Sequence, residues 1–517
     1  MYADRVRQPT LNASPRLRQF VGTLLLLSLT CPVLIAVELG EIDLTVVDAE
    51  TNETIAARLR ISDSRGRPPR IRDVPRLGND VSFNDTLTFK LKPGHYHFTI
   101  DHGPHYQQRV GRLEVNRDGF DQKTVTLPRF VNVQEEGYFS GDLLITRDQE
   151  DTELLMNVED LDMIARPSWS PGVAFSSIAA KRDRAVHSEE TVRDYSATLL
   201  ESDGGRLLLG NVPSPIVPTD FAEGPLAFAT EAKAISNTHL AVLDPWGWDT
   251  PLLVAHGYVD SIAIMGDALR LDGDKNSVQG YVLDSSRFQG QHAAGRYAEH
   301  IFFQLLNCGI KIAPSAFSNS GDVKNPPGFN RVYVSCGQDF SAETWWKNLA
   351  TGNSVVSNGP VLRALANGEK PGHVFKSDAD EFTLELTANL ATRQKVEYLE
   401  IVKDGRAVQE VRLDKWAKAG GHLPLITFKE SGWCLVRAYA PSEENYRCAV
   451  TAPFFVELHE QTRVSKKSAQ FFADWVLERA KQLRKMKLPK DELRNRIKQQ
   501  KFAHEFWNGL VAEATAD

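Results

Sequence analysis

The sequence predicts an α/β protein. It has a core of alternating strands and helices, a β-sandwich part on either side and a helical hairpin at the C-terminus. Three observations carry this. Residues 37–130 and 376–460 show period-two apolar alternation broken by turn clusters, the pattern of sheets with one buried face. Residues 131–375 alternate strand-like runs with helical stretches, which implies a parallel sheet or a barrel. Residues 461–517 carry two apolar stripes at helical spacing.

At 517 residues the chain exceeds one ordinary domain, which holds roughly 100–200 residues. Arg5, Arg7, Arg16 and Arg18 precede the apolar run "FVGTLLLLSLTCPVLIA" at residues 20–36. A positive head, an apolar stretch and a closing small residue form an export signal over residues 1–36, cleaved near Ala36. The run falls short of the roughly 20 apolar residues a bilayer helix needs, so an uncleaved anchor is the lesser reading. Cys31 is discounted as a lipidation site because Ser28 stands where an aliphatic residue is required. No second run of spanning length follows, so the mature chain is expected to be periplasmic or extracellular, with no membrane span. The formal charge is −7, and removing four Arg and Asp4 lowers it by three, to −10. Such a chain offers no basic field to nucleic acid.

In the first sandwich, Ile42, Leu44 and Val46 alternate with polar residues, as do Leu87, Phe89, Leu91 and then Tyr96, Phe98, Ile100, with Pro93-Gly94 marking a turn. His95 and His97 share one strand face, with His102 and His105 close behind; such a pair binds zinc or copper elsewhere, but a solvated strand face is the better reading. In the core, "AAGRYAEHIFFQLLNCG" is a helix. Tyr297, Ile301, Leu305 and Leu306 recur on one side and Gly309 follows as the C-terminal stop. Asp272, Asp274 and Asn276 have calcium-loop spacing but lack the glycine and glutamate such a loop requires, so a plain loop is expected. In the second sandwich, Phe382, Leu384 and Leu386 alternate, and Asp404-Gly405 signals a hairpin. Cys434 and Cys448 lie on adjacent runs, where a disulfide and two buried free thiols are both open. The tail stripes are Phe472, Val476, Leu483 and then Leu493, Ile497, Phe506, Leu510, with a break at Leu488-Pro489.

The segment "GYFSGDLLITRDQEDTELLMNVEDLDMIARPSW" opens the core. After it come "LDPWGWDTP", "GYVDSIAIM", "RYAEHIFFQLLNCGIKIAPSAFSNSG", "GFNRVYV" and "GNSVVSNGPVL". In this order they resemble the CehA/McbA-like metallohydrolases, a branch of the polymerase and histidinol phosphatase (PHP) superfamily. "PGHYHFTIDHGPHY" and "SAQFFADWVLERA" resemble flanking parts of the same proteins. The resemblance implies a PHP-type distorted (β/α)7 barrel over residues 131–375. It also implies a site where His, Asp and Glu hold two or three divalent metals that activate a bound water. Gly141, Asp142 and Leu143 match the family's Gly-Asp-Leu-His-x-His strand, but Leu144 and Thr146 occupy its histidine positions. The Thr-Asp-His segment aligns with Pro167-Ser168-Trp169, and Gly-Ser-Asp-x-His with Phe317-Ser318-Asn319-Ser320-Gly321. The His-Pro segment aligns with Asp244-Pro245. With Leu144, Thr146, Ser168, Trp169, Asn319 and Gly321 in the ligand positions, only Asp244 keeps an anionic oxygen. No metal and no cofactor are therefore expected.

Function at a barrel mouth comes from the strand ends. Asp142, Asp148, Asp244 and His300 are the candidates for any remaining catalysis; Arg147, Trp246, Trp248, Asp249, Asn319 and Asn330 are candidates for binding. Tryptophan flanked by Asp and Arg suits a carbohydrate, whose apolar ring face stacks on indole while its hydroxyls take charged partners. The competing reading makes Trp246 and Trp248 core aromatics, Asp142 and Arg147 an ion pair, and His300 a satisfied core histidine. No Gly-x-Ser-x-Gly elbow supports serine hydrolysis. Two function classes follow. One is a non-catalytic envelope protein that binds a small molecule, with a glycan the leading choice. The other is a diverged hydrolase of esters, carbamates or phosphoesters with a rebuilt site. Loss at three separate motifs favours the first; the sequence sets no oligomeric state.

Overall fold

The computed structural model describes residues 39–517 apart from 148, 170–193, 213–223, 276–277, 282–287, 291, 339 and 441–444. The fold is mixed α/β, with its strands in several sheets and two long helices packed together at the C-terminus. The export signal read at residues 1–36, Asp148 and Asn276 lie outside the described residues.

The first sandwich follows from its alternation. Gly40–Asp48 runs between Thr86–Leu91, antiparallel, and Phe120–Leu127, parallel. A second sheet orders Arg76–Leu77, Asp80–Phe83, Ala57–Asp63, Gly94–Asp101 and Arg109–Val115. Ile42, Leu44, Val46, Leu87, Phe89 and Leu91 point inward and meet Leu59, Ile61 and Ile100 in one core. His95 and His97 are exposed on their strand. His105, by contrast, is buried between Asp160 (2.6 Å) and the Tyr333 hydroxyl (3.1 Å), so it ties the sandwich to the core.

In the large sheet, Tyr138–Asp142, Met163–Trp169 and Asp194–Ser202 are parallel neighbours, as are His239–Val242, Ser261–Met265 and Ala313–Ala316. Gly205–Gly210 separates the two groups and is antiparallel to both its neighbours. Its reversal has a local cause. Ser202 pairs with Gly205, leaving Asp203-Gly204 as a two-residue hairpin loop. Beyond Ala313–Ala316 the chain lies along residues 143–146: Leu143 N donates to Ala316 O, Asn319 N to Leu144 O and Thr146 N to Ser320 O, at 3.2, 3.0 and 2.8 Å. The helix Ala293–Asn307 covers this sheet with Tyr297, Ile301, Leu305 and Leu306 buried, and Gly309 (φ +75°) ends it.

Ser354–Ser357 pairs with Arg447–Thr451, so hydrogen bonding runs from the core sheet into the second sandwich. There Asp404-Gly405 forms the two-residue loop between Tyr398–Lys403 and Arg406–Arg412, with φ of +48° and +83°. Cys434 and Cys448 are free and buried. The register sets Cys448 opposite Tyr439, five residues along the strand from Cys434, so the disulfide alternative is set aside. Asp274 is likewise committed: it accepts from the N–H groups of Arg270 and Tyr446 at 2.9 and 2.6 Å.

The tail helices are Lys466–Lys485 and Lys490–Ala512. The first buries Phe472, Val476 and Leu483 as expected. The second buries Arg496, Gln500, Ala503 and Trp507 and leaves Leu493, Ile497, Phe506 and Leu510 only partly covered. A polar stripe faces inward because carboxylates wait for it. Arg479, wholly buried, donates from Nε to Asp249 Oδ1 (2.8 Å) and from Nη2 to Asp249 Oδ2 (2.9 Å) and Asp203 Oδ2 (2.7 Å). Arg496 adds bonds to Asp203 at 2.8 and 3.0 Å, and Gln500 one to Asp249 at 3.0 Å. Asp249, a binding candidate in the sequence, is bonded to both tail helices through Arg479 and Gln500.

Candidate functional site

The residues just past the parallel strand ends form the candidate site. Asp244 follows His239–Val242, Asp267 follows Ser261–Met265, Asn319 follows Ala313–Ala316 and Thr146 follows Tyr138–Asp142. Gly205–Gly210 is antiparallel, so its first turnward residue, Arg206, arrives at the same end. Together with Trp246, Trp248 and Lys275, the residues Arg206, Asp244 and Asp267 line a cleft of about 610 Å³.

Arg206 organises it. Its Nη2 and Nε donate to the two oxygens of Asp244 at 2.6 and 2.9 Å. Nη2 and Nη1 also donate to the two oxygens of Asp267 at 3.0 and 3.2 Å, and the guanidinium lies over the Phe317 ring, 5.4 Å from its centroid. Planar two-point pairing of this kind suits arginine and not lysine. Burial works against the Arg206 charge, but Asp244 and then Asp267 overcome it and hold the guanidinium above its ordinary pKa. Burial likewise works to raise the Asp267 carboxyl, and Arg206 brings it below its ordinary value. Asn319 Nδ2 reaches Asp267 at 3.4 Å, and Thr146 Oγ1 donates to Asn319 Oδ1 at 3.3 Å.

The sequence-level candidates separate into two groups. Thr146, Asn319 and Gly321 do converge: a Cβ on Gly321 (φ +122°) would lie 2.6 Å from Thr146 Oγ1. Leu144 is buried in the apolar core. Ser168 and Trp169 end the strand Met163–Trp169, and their side chains lie outside the described residues. Asp142 is wholly buried and accepts the N–H groups of Ser318 (2.9 Å), Leu144 (3.2 Å) and Gly328 (2.7 Å). Burial raises its carboxyl to about 6 against those donors. Arg147 does not serve as its ion-pair partner and instead donates to Ser320 Oγ at 2.8 Å. Asn330 is wholly buried, its amide bound to the carbonyls of Gly266, Leu269 and Phe317 at 3.0–3.2 Å. Asp142 and Asn330 are therefore pins of the strand-end loops, out of reach of a ligand. His300 packs among Phe288, Tyr297 and Phe471. Trp246 is almost buried and stacks on Tyr297, whereas Trp248 is partly buried against the core with one edge on Tyr281. Among the described residues no three His, Cys, Asp or Glu side chains converge as a metal site would require.

Sequence reasoning missed Arg206, Asp267 and Lys275. A charged residue at a strand start reads as solvated, and the partners of Arg206 lie 38 and 61 positions away.

No family model matches the chain, and no curated protein matches it. Among solved structures it is similar to the Bacillus anthracis TIE protein, at 18% identity over 22% of this chain and 20% of that one, with a TM-score of 0.15. It is also similar to the Clostridium thermocellum CbhA fibronectin(III)-like modules, at 14% identity over 25% of this chain and 62% of that one, with a TM-score of 0.14. The chain thus spans about a fifth of the first and under two thirds of the second. Likeness at this level carries no argument about fold or function.

Proposed function

We propose that this chain is an exported, non-catalytic binding protein built on a PHP-type (β/α)7 barrel, and that it binds a carbohydrate in the cleft at the strand ends. The observation that carries the reading is the Arg206 bridge. A fixed guanidinium sits between two strand-end carboxylates, Asp244 and Asp267, where the resembling hydrolases use carboxylates and histidines to hold metal. A metal would have to displace that cation, and the buried apolar Leu144 offers no lone pair to compensate it. The barrel part of the reading is supported by the hydrogen bonds between residues 143–146 and 316–320, which join the first parallel strand to the last.

The ligand class follows from charge and shape. Glu201, Asp244 and Asp267 line the cleft against two bases, Arg206 and Lys275, while Asp203 at its edge is taken by Arg479 and Arg496. A wall richer in carboxylates repels phosphate and other anions and suits a neutral polyol, which takes hydrogen bonds from both signs. The partly buried Trp248, which lines the cleft, supplies the apolar platform.

The test is titration of the purified protein with a panel of neutral oligosaccharides, followed by calorimetry. At least one is expected to bind saturably, and Trp248→Ala is expected to weaken that binding about tenfold, the equivalent of about 1.4 kcal/mol. Binding unchanged by Trp248→Ala, or no saturable binding across the panel, would contradict the carbohydrate reading.

A further inference from the structure

A second cavity lies where the first sandwich, the core sheet and the second sandwich meet. Its volume is about 360 Å³. Five arginines line it: Arg58 and Arg60 from the first sandwich, Arg331 from the core, and Arg393 and Arg447 from the second. Three carboxylates, those of Asp80, Asp101 and Glu159, stand against them, so the lining is two positive charges in excess.

The carboxylates are already spoken for. Arg60 takes both oxygens of Asp80 at 2.7 Å. Arg58 takes Asp101 at 2.7 Å and Glu159 at 2.5 Å, and Arg393 takes Asp101 at 2.8 Å. Arg331 and Arg447 form no ion pair among the described residues. Arg331 donates to the carbonyls of Gly328 (2.6 Å) and Glu159 (3.1 Å). Arg447 donates to the Asn358 carbonyl and to Asn445 Oδ1 (3.1 Å), with its guanidinium 4.3 Å from the Phe329 ring centroid. Arg393 Nε is a further buried donor with no acceptor among the described residues. A buried cation with no ion pair is costly, and an anion in the cavity offsets part of that cost. Burial pushes the Arg447 guanidinium down to about 10, with Asp274 acting more weakly to raise it.

We propose that this three-way junction is an oxyanion-binding site, with Arg447 and Arg331 as its principal donors. Its ligand class is a carboxylate, sulfate or phosphate group, free or at the end of a larger acidic molecule, since the guanidinium fork matches the planar or tetrahedral arrangement of such oxygens. The site is separate from the strand-end cleft and has the opposite charge balance, so it does not depend on the carbohydrate reading. Because all three parts of the chain contribute donors, an anion there would also fasten them together.

Calorimetry of the full chain with inorganic phosphate, sulfate and glucuronate, at ionic strength held constant with chloride, tests this. At least one of the three is expected to bind saturably at one site per chain. Preference for glucuronate marks a carboxylate ligand and preference for phosphate or sulfate a tetrahedral one. Arg447→Met is expected to weaken binding at least tenfold and Arg447→Lys by less. Val110→Glu serves as the variant that leaves the interior intact: Val110 lines the rim and is 71% exposed. The added charge there is expected to weaken binding several-fold. Heat that chloride alone reproduces, or equal affinity in the native protein, Arg447→Met and Val110→Glu, would overturn the proposal.

Discussion

Asp249→Ala is expected to destabilise the protein by about 3–5 kcal/mol, the usual cost of removing one partner from a buried ion pair. Asp249 is 2% exposed, and the wholly buried Arg479 gives it two of its hydrogen bonds. With Asp249 gone, Arg479 keeps Gln482 and, as its one carboxylate among the described residues, Asp203, which it shares with Arg496. Two guanidiniums sharing one carboxylate would then favour states in which the helical hairpin undocks and reaches water. Urea unfolding should therefore show a lower midpoint, and limited proteolysis should cut first between the second sandwich and residue 466. Asp249→Asn keeps the shape but not the charge and is expected to recover only part of the loss. If Asp249→Ala unfolds at the native midpoint, the hairpin is held by its apolar stripe alone.

Arg206→Met should have an effect of similar size, again about 3–5 kcal/mol at neutral pH. Met conserves most of the side-chain volume but leaves Asp244 and Asp267 together, with Lys275 as the remaining cation at 3.8 Å from Asp267. The pH dependence carries a definite sign. In the native protein the Asp267 carboxyl is held below its ordinary value, so its contribution to stability is present above the unfolded carboxylate pKa and is lost as pH falls through the still lower folded value. In Arg206→Met the Asp267 carboxyl lacks that cation, so burial is far less opposed and its folded value rises above the unfolded one. The variant then gains stability on acidification while the native protein does not, so the deficit between them is greatest near neutrality and shrinks as pH falls through the carboxylate range. A deficit independent of pH would mean that Arg206 acts by packing on Phe317 and not by charge.

Much of the architecture is written in local pattern. Ile42, Leu44 and Val46 face inward because a strand alternates its side chains and only one face is covered. The helix over Ala293–Asn307 follows from apolar spacing of three and four, and Asp404-Gly405 from the positive φ that a two-residue hairpin demands. Thr146 lies beside Asn319 and Gly321 because the strand-end loops carrying them run side by side, a contact across more than 170 positions that no local periodicity shows. What stayed hidden depends on distant charge. The tail helix buries Arg496 and Gln500 because Asp203 and Asp249 meet them some 250–290 positions earlier, and no periodicity announces such a partner. Arg206 is hidden for the same reason. Gly205–Gly210 reverses direction through the short Asp203-Gly204 loop, a signal present in the sequence but masked by the broader strand-helix alternation around it.

On the proposed function, an arginine bridge and apolar filling occupy the strand ends where the resembling hydrolases hold metal. Elemental analysis of protein purified without chelator, paired with melting curves in the presence and absence of chelator, tests it most directly. The protein is expected to hold less than about one tight divalent ion per chain and to keep its melting temperature in chelator, because a bound metal would otherwise contribute its binding energy to folding. Stoichiometric zinc or manganese, with chelator-sensitive hydrolysis of a model ester or phosphoester, would contradict it.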